Sequence, residues 1–102
     1  AYPPFTRLIK IVFKHKDETR TAAAATLMAG ALQAVPGISL QGPAPALVPR
    51  VRNQYIYEIW VKCSKDNKQL ESVKQFLKNE RMHIINKRGN SNVQVIFDVD
   101  PM

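Results

Sequence analysis

The chain has a single cysteine, Cys63. No internal disulfide can form and no cysteine-based zinc site can be assembled, so a cytoplasmic protein is the expectation. A lone thiol near the end of a strand reads as a small buried hydrophobe. Also missing is any apolar run of the length that a signal peptide or a membrane span needs. The four glycines are scattered, and none falls in a Walker or Rossmann pattern, which argues against nucleotide hydrolysis by these residues. Two histidines, His15 and His83, lie far apart with no nucleophile in an evident arrangement, so both read as surface or interface residues. At 102 residues the chain fits one domain, 1–102, with a modest core rather than a large enclosed catalytic pocket. It opens Ala-Tyr-Pro-Pro without an initiator Met, and a piece of a larger protein is expected.

Acidic residues are scarce as well: eight, against fifteen Lys and Arg, for a net charge of +7. So basic a short chain points toward a polyanionic partner. Ten of the fifteen cations lie between Arg50 and Arg88, against four acids there, Glu58, Asp66, Glu71 and Glu80. Any single lysine among them is equally well read as ordinary solvation of a helix surface. Two acids close the chain in "DVDPM". In an extended strand Asp98 and Asp100 share a face, where they could converge on a cation or could simply sit at the solvated strand end before Pro101.

Hydrophobic periodicity supplies the elements. Arg7 to Lys14 alternates Ile9, Ile11 and Phe13 with Leu8, Lys10, Val12 and Lys14, which predicts a half-buried strand. Asp17 is placed to cap a helix whose stripe is Ala24, Leu27, Met28, Ala31, Leu32 and Val35, and Pro36-Gly37 stops it. Ile38 to Leu40 can pair, whereas Pro43, Pro45 and Pro49 predict an irregular edge or loop. Gln54 to Cys63 is the clearest strand, with Tyr55, Tyr57, Ile59 and Val61 on one face and Ile56, Glu58, Trp60 and Lys62 on the other. After a cap at Asp66 or Asn67, Leu70, Val73 and Leu77 predict an amphipathic helix to about Asn79, with Met82 to Asn86 packing or extending it. Lys87-Arg88-Gly-Asn-Ser-Asn reads as a basic turn, and Val93 to Val99 as a last strand with Val93, Val95, Phe97 and Val99 inward. The order βαββαβ is the split βαβ pattern of ferredoxin-like α+β sandwiches, with two helices on one face of an antiparallel sheet. The other face carries Lys10, Trp60, Lys62 and Gln94 with Leu8, Ile56 and Ile96, too apolar for plain solvent, so another domain or a ligand is expected against it.

A basic ferredoxin-like sheet invites comparison with RNA-binding RRM domains, but "QVIFDV" lacks their Lys/Arg-Gly-Phe aromatic pattern. Trp60 therefore stays open as a stacking platform or an interdomain anchor. In "GPAPALVPRVRNQYIYEIWVK", Arg50 and Arg52 alternate onto one side of a stiff, proline-rich segment. They can grip successive phosphates, or they can guard a sheet edge.

"YPPF", "GPAPALVPRVRNQYIYEIWVK" and "VIFDVDP" follow one another in an order and spacing that resembles the C-terminal domain of the PriA replication-restart helicases (primosomal protein N′). The lysine-rich "LIKIVFKHKD" is similar to the Bacteroidetes versions. The resemblance implies a noncatalytic accessory domain of an ATP-dependent 3′–5′ DNA helicase, one that packs on the helicase core and contacts forks or single strands. ATP, Mg and Zn would bind the parent outside this chain. Arg50, Arg52, Lys62, Lys65, Lys68, Lys87 and Arg88 are the expected phosphate contacts, with Tyr55 or Trp60 stacking. The resemblance further implies binding of the acidic tail of single-stranded DNA-binding protein near the start of the second helix, where Lys65, Lys68 and Gln69 lie, and association with other primosome proteins. It also makes Asp98 and Asp100 the structural end of the last strand.

Overall fold

A computed structural model describes residues 6–35, 37–64, 67–86 and 93–99. Six elements follow in chain order: β1 (Thr6–His15), α1 (Glu18–Leu32), β2 (Ser39–Val51), β3 (Gln54–Ser64), α2 (Asn67–Asn86) and β4 (Gln94–Val99). The strands form one antiparallel sheet in the order β2-β3-β1-β4, the split βαβ topology that the pattern predicts. β3 and β1 take the two central places in the sheet, and the odd-numbered side chains in the middle of β1 are apolar. Ile9, Ile11 and Phe13 are fully buried, together with Ile59, Val61 and Cys63 of the paired β3 and Val95 of β4. Both helices cover that face, so the even-numbered face of the sheet carries no helix.

The arc of α1 that meets the sheet is Thr21, Ala24, Ala25, Met28, Ala29 and Leu32, rotated from the stripe expected from hydrophobicity alone. Leu27 is 38% exposed, because it sits about 100° around the helix from Met28, and small alanines fill the contact instead. Asp17 caps this helix as predicted: its carboxylate accepts from the Thr19 and Arg20 N–H groups at 2.9 and 3.4 Å. His15 is buried rather than on the surface. Its Nδ1 accepts the Asp17 N–H at 2.9 Å, which ties the end of β1 to the cap.

α2 runs to Asn86, beyond the expected end near Asn79. Ile84 lies seven residues after Leu77 and returns to the same buried stripe, a phase that Glu80-Arg81 hides in a shorter reading. β2 extends to Val51 through its prolines, with register shifts between Gln41 and Ala44 and between Pro45 and Arg50. An edge strand tolerates this, since its outward N–H groups need no ladder partner. Gly42 adopts φ +98°, and a Cβ there would lie 2.6 Å from the Glu58 carbonyl oxygen, so only glycine fits this close approach. In β4, strand alternation turns Val99 inward, yet it is 36% exposed at the rim of the sheet, where α2 no longer covers it fully.

Candidate nucleic-acid interface

The helix-free face is built by residues two apart on adjacent strands. Across its middle, the register sets Gln41 beside Trp60, Trp60 beside Lys10, and Lys10 beside Asp98. The next row is Ala44, Glu58, Val12 and Ile96, and the row beyond it is Ile56, Lys14 and Gln94. Lys10 is held at the centre: its Nζ lies 3.4 Å from a Glu58 carboxylate oxygen and 5.4 Å from the centroid of the Trp60 ring. Half-buried Trp60 therefore has its rotamer limited on one side by a cation, with the exposed Lys62 two residues further along the same face. Ile96, also on this face, is 43% exposed. The described cations on or at the end of this face are Lys10, Lys14, Lys62 and Arg52, against Glu58 and Asp98.

The expected site residues separate. Trp60 and Lys62 lie on the open face. Tyr55 is an odd-numbered β3 residue and points to the helix-bearing side, so it cannot join Trp60 in one stacking platform. Arg50 and Arg52 do not alternate along one strand. Val51 pairs with Gln54, and Arg52 (φ 53°) and Asn53 (φ 63°) form the two-residue turn between β2 and β3. Positive φ at both central positions marks the type I′ hairpin turn, whose handedness suits the strand twist; the usual Asn-Gly signal is absent here, which hid it from sequence reading. The Arg50 backbone pairs with Tyr55, while its side chain and that of Gln69 lie outside the described residues. Lys65, Lys87 and Arg88 also lie outside them. Lys68 is exposed on the first turn of α2, in the helix layer and away from Trp60.

Sequence reading did not single out Lys14, Gln54 and Ile56 as a group. With Arg52 they line a notch of about 310 Å³ at the hairpin end of the open face. A second concavity, about 270 Å³, has Ile9, Leu77, Phe97 and Val99 with Lys74 and Lys78 around it, between α2 and the β4 edge. Asp98 is exposed and opposite Lys10, and Asp100 lies outside the described residues. Among the described residues no group of three or more His, Cys, Asp or Glu is placed to hold a metal ion. No helix among them is long and apolar enough to cross a membrane.

The family model for the primosomal protein N C-terminal domain matches residues 1–102. The chain belongs to that family. A curated relative, the probable replication restart protein PriA of Deinococcus radiodurans, is 36% identical over 67 residues, 64% of this chain. The matched stretch is 7% of that relative's length, so the relative is far longer than this chain. Among solved structures, the de novo designed protein Foldit4 superposes with a TM-score of 0.65 at 7% identity, covering 95% of this chain and 98% of its own. A hydantoinase/carbamoylase family amidase from Burkholderia ambifaria reaches 0.57 at 15% identity, covering 93% of this chain and 27% of its own. Identities this low speak for the fold alone.

Proposed function

We propose that this domain serves a replication-restart helicase of the cytoplasm as a noncatalytic element that contacts fork or single-stranded DNA and docks on the helicase core. The observation that carries the reading is the helix-free sheet face, where Trp60 is braced by Lys10 and flanked by Lys62 in a chain of net charge +7. An aromatic face with cations around it takes any base by stacking while the cations follow the backbone. ATP, Mg and Zn chemistry belongs, on this reading, to parts of the parent outside these residues.

The test is fluorescence anisotropy of a labelled three-way fork and a matching single strand, titrated with this chain at two salt concentrations. Contacts from Lys14, Lys62 and Arg52 give a log–log salt slope near −2 on a single strand, at about 0.7 per neutralised phosphate. Trp60→Ala weakens binding by about 1–3 kcal/mol, the usual worth of one stacked base. Affinity that stays flat with salt contradicts the reading.

A second reading has its own observation. The concavity between α2 and β4 combines the apolar Leu77, Phe97 and Val99 with Lys74 and Lys78, which suits an acidic peptide ending in an apolar side chain, such as the tail of a single-stranded DNA-binding protein. It predicts peptide binding that is lost when the terminal apolar residue is removed. If the domain only braces the helicase core, it binds neither probe.

A further inference from the structure

We propose that the notch formed by Lys14, Arg52, Gln54 and Ile56 is a phosphodiester-binding subsite that fixes one end of a nucleic-acid track across the open face; this rests on the DNA-contact reading above. At about 310 Å³ the notch is at the lower end of the range for small-ligand sites, which suits one backbone unit rather than a base pair.

Its charge is uncompensated. Three described cations sit against carboxylates: Lys10 with Glu58, Arg20 with Asp17, and Lys74 with Glu71. Lys14 and Arg52 have no such partner among the described residues, and the strand partners of Lys14 are the neutral Ile56 and Gln94. Two unpaired cations with the Gln54 amide beside them offer one anion several donors at once.

The backbone supports the same conclusion. Arg52 is a long β-unbranched residue at φ 53°, a conformation that glycine adopts without penalty. A glycine would satisfy the turn better, and what arginine adds at this tip is a cationic side chain lining the notch. Lys14 stands four residues from Lys10 on β1, about 13 Å at the rise of a strand. The central Trp60–Lys10 row and the notch are thus two anchors on one path, with Val12 and Ile96 between them.

The test uses this chain, a labelled oligothymidylate, inorganic phosphate, and the variants Lys14→Ala, Arg52→Gly and Trp60→Ala. Expected for Lys14→Ala and Arg52→Gly is a weakening of about three- to tenfold each at low salt, with the salt slope reduced by about 0.7 each. Trp60→Ala lowers affinity with its slope unchanged. Arg52→Gly removes a positive-φ penalty, so its unfolding midpoint stays level or rises, and lost binding cannot be put down to unfolding. If both notch variants bind like the parent while Trp60→Ala does not, the subsite is overturned and the DNA-contact face stands. If the parent chain does not bind the oligonucleotide, both fall. Saturable shifts of the Lys14, Gln54 and Ile56 amides with inorganic phosphate, and none with oligonucleotide, overturn the phosphodiester assignment in favour of a free anion.

Discussion

One chemical change, glycine to alanine, is expected to act in opposite directions at two positions of this fold. At Gly42 the added Cβ meets the Glu58 carbonyl oxygen at 2.6 Å, the Ala44 nitrogen at 3.2 Å and the Ile59 Cα at 3.5 Å, all of them backbone atoms. None can rotate away, so the edge strand β2 must shift off β3. The conformation at φ +98° adds about 1–2 kcal/mol for any residue with a Cβ, and forcing strands apart adds about 1–3 kcal/mol, as in other overpacked sites. Together they predict a loss of about 2–5 kcal/mol, and at about 4–8 °C per kcal/mol a melting temperature lower by at least about 8 °C. At Gly30, inside α1, an added Cβ meets nothing within 4 Å. There alanine removes the entropic cost of a helical glycine and stabilises by about 0.5–1 kcal/mol. Thermal and urea unfolding of the two variants beside the parent is the assay, with amide exchange at Leu40 and Ile11 separating a frayed edge from global loss. Gly42→Ala melting at or above the parent temperature would refute the placement of β2 against β3, and Gly30→Ala destabilising the chain would refute the open exposure of that helix position.

Three further outcomes follow from particular contacts. Asp17→Ala removes the acceptor of the Thr19 and Arg20 N–H groups and should cost about 1 kcal/mol in urea unfolding, whereas Asp17→Asn should cost less. Ile84→Ala should cost about 2–5 kcal/mol, since Ile84 is 2% exposed; a loss under about 0.5 kcal/mol would mean that α2 ends before it. Burial, and then the neighbouring Glu18 carboxylate that accepts from its hydroxyl at 3.4 Å, push the Tyr57 phenol above its ordinary 10.0. The folded state therefore holds that proton more tightly than the unfolded chain, so the contribution is complete below pH 10 and is lost as pH rises through the folded value. Tyr57→Phe should flatten the alkaline arm of the stability profile, and ultraviolet titration should find the parent's Tyr57 ionising later than that of an unfolded control.

Period-2 and period-3.6 patterns carried most of this architecture. The alternation of Ile9, Ile11 and Phe13 with Lys10, Val12 and Lys14 determined which face of β1 is buried, and Leu70, Val73 and Leu77 determined the face of α2, because each pattern is local to its own backbone period. Family membership, too, was legible from three short segments of the chain. The phase of α1 was not legible: whether Leu27 or Ala25 meets the sheet depends on how near the helix axis can approach it, a tertiary distance that hydrophobicity does not encode. The β2–β3 turn is not legible either, because Arg52-Asn53 accepts positive φ under the closure imposed by two paired strands, without the glycine that usually signals it. Above all, only strand pairing brings Lys14, from near the start of the chain, beside Ile56 and the Arg52 turn from its middle. Register is set by long-range burial of the opposite face, so the candidate site is a by-product of the core, and the sequence on its own shows only its separate parts.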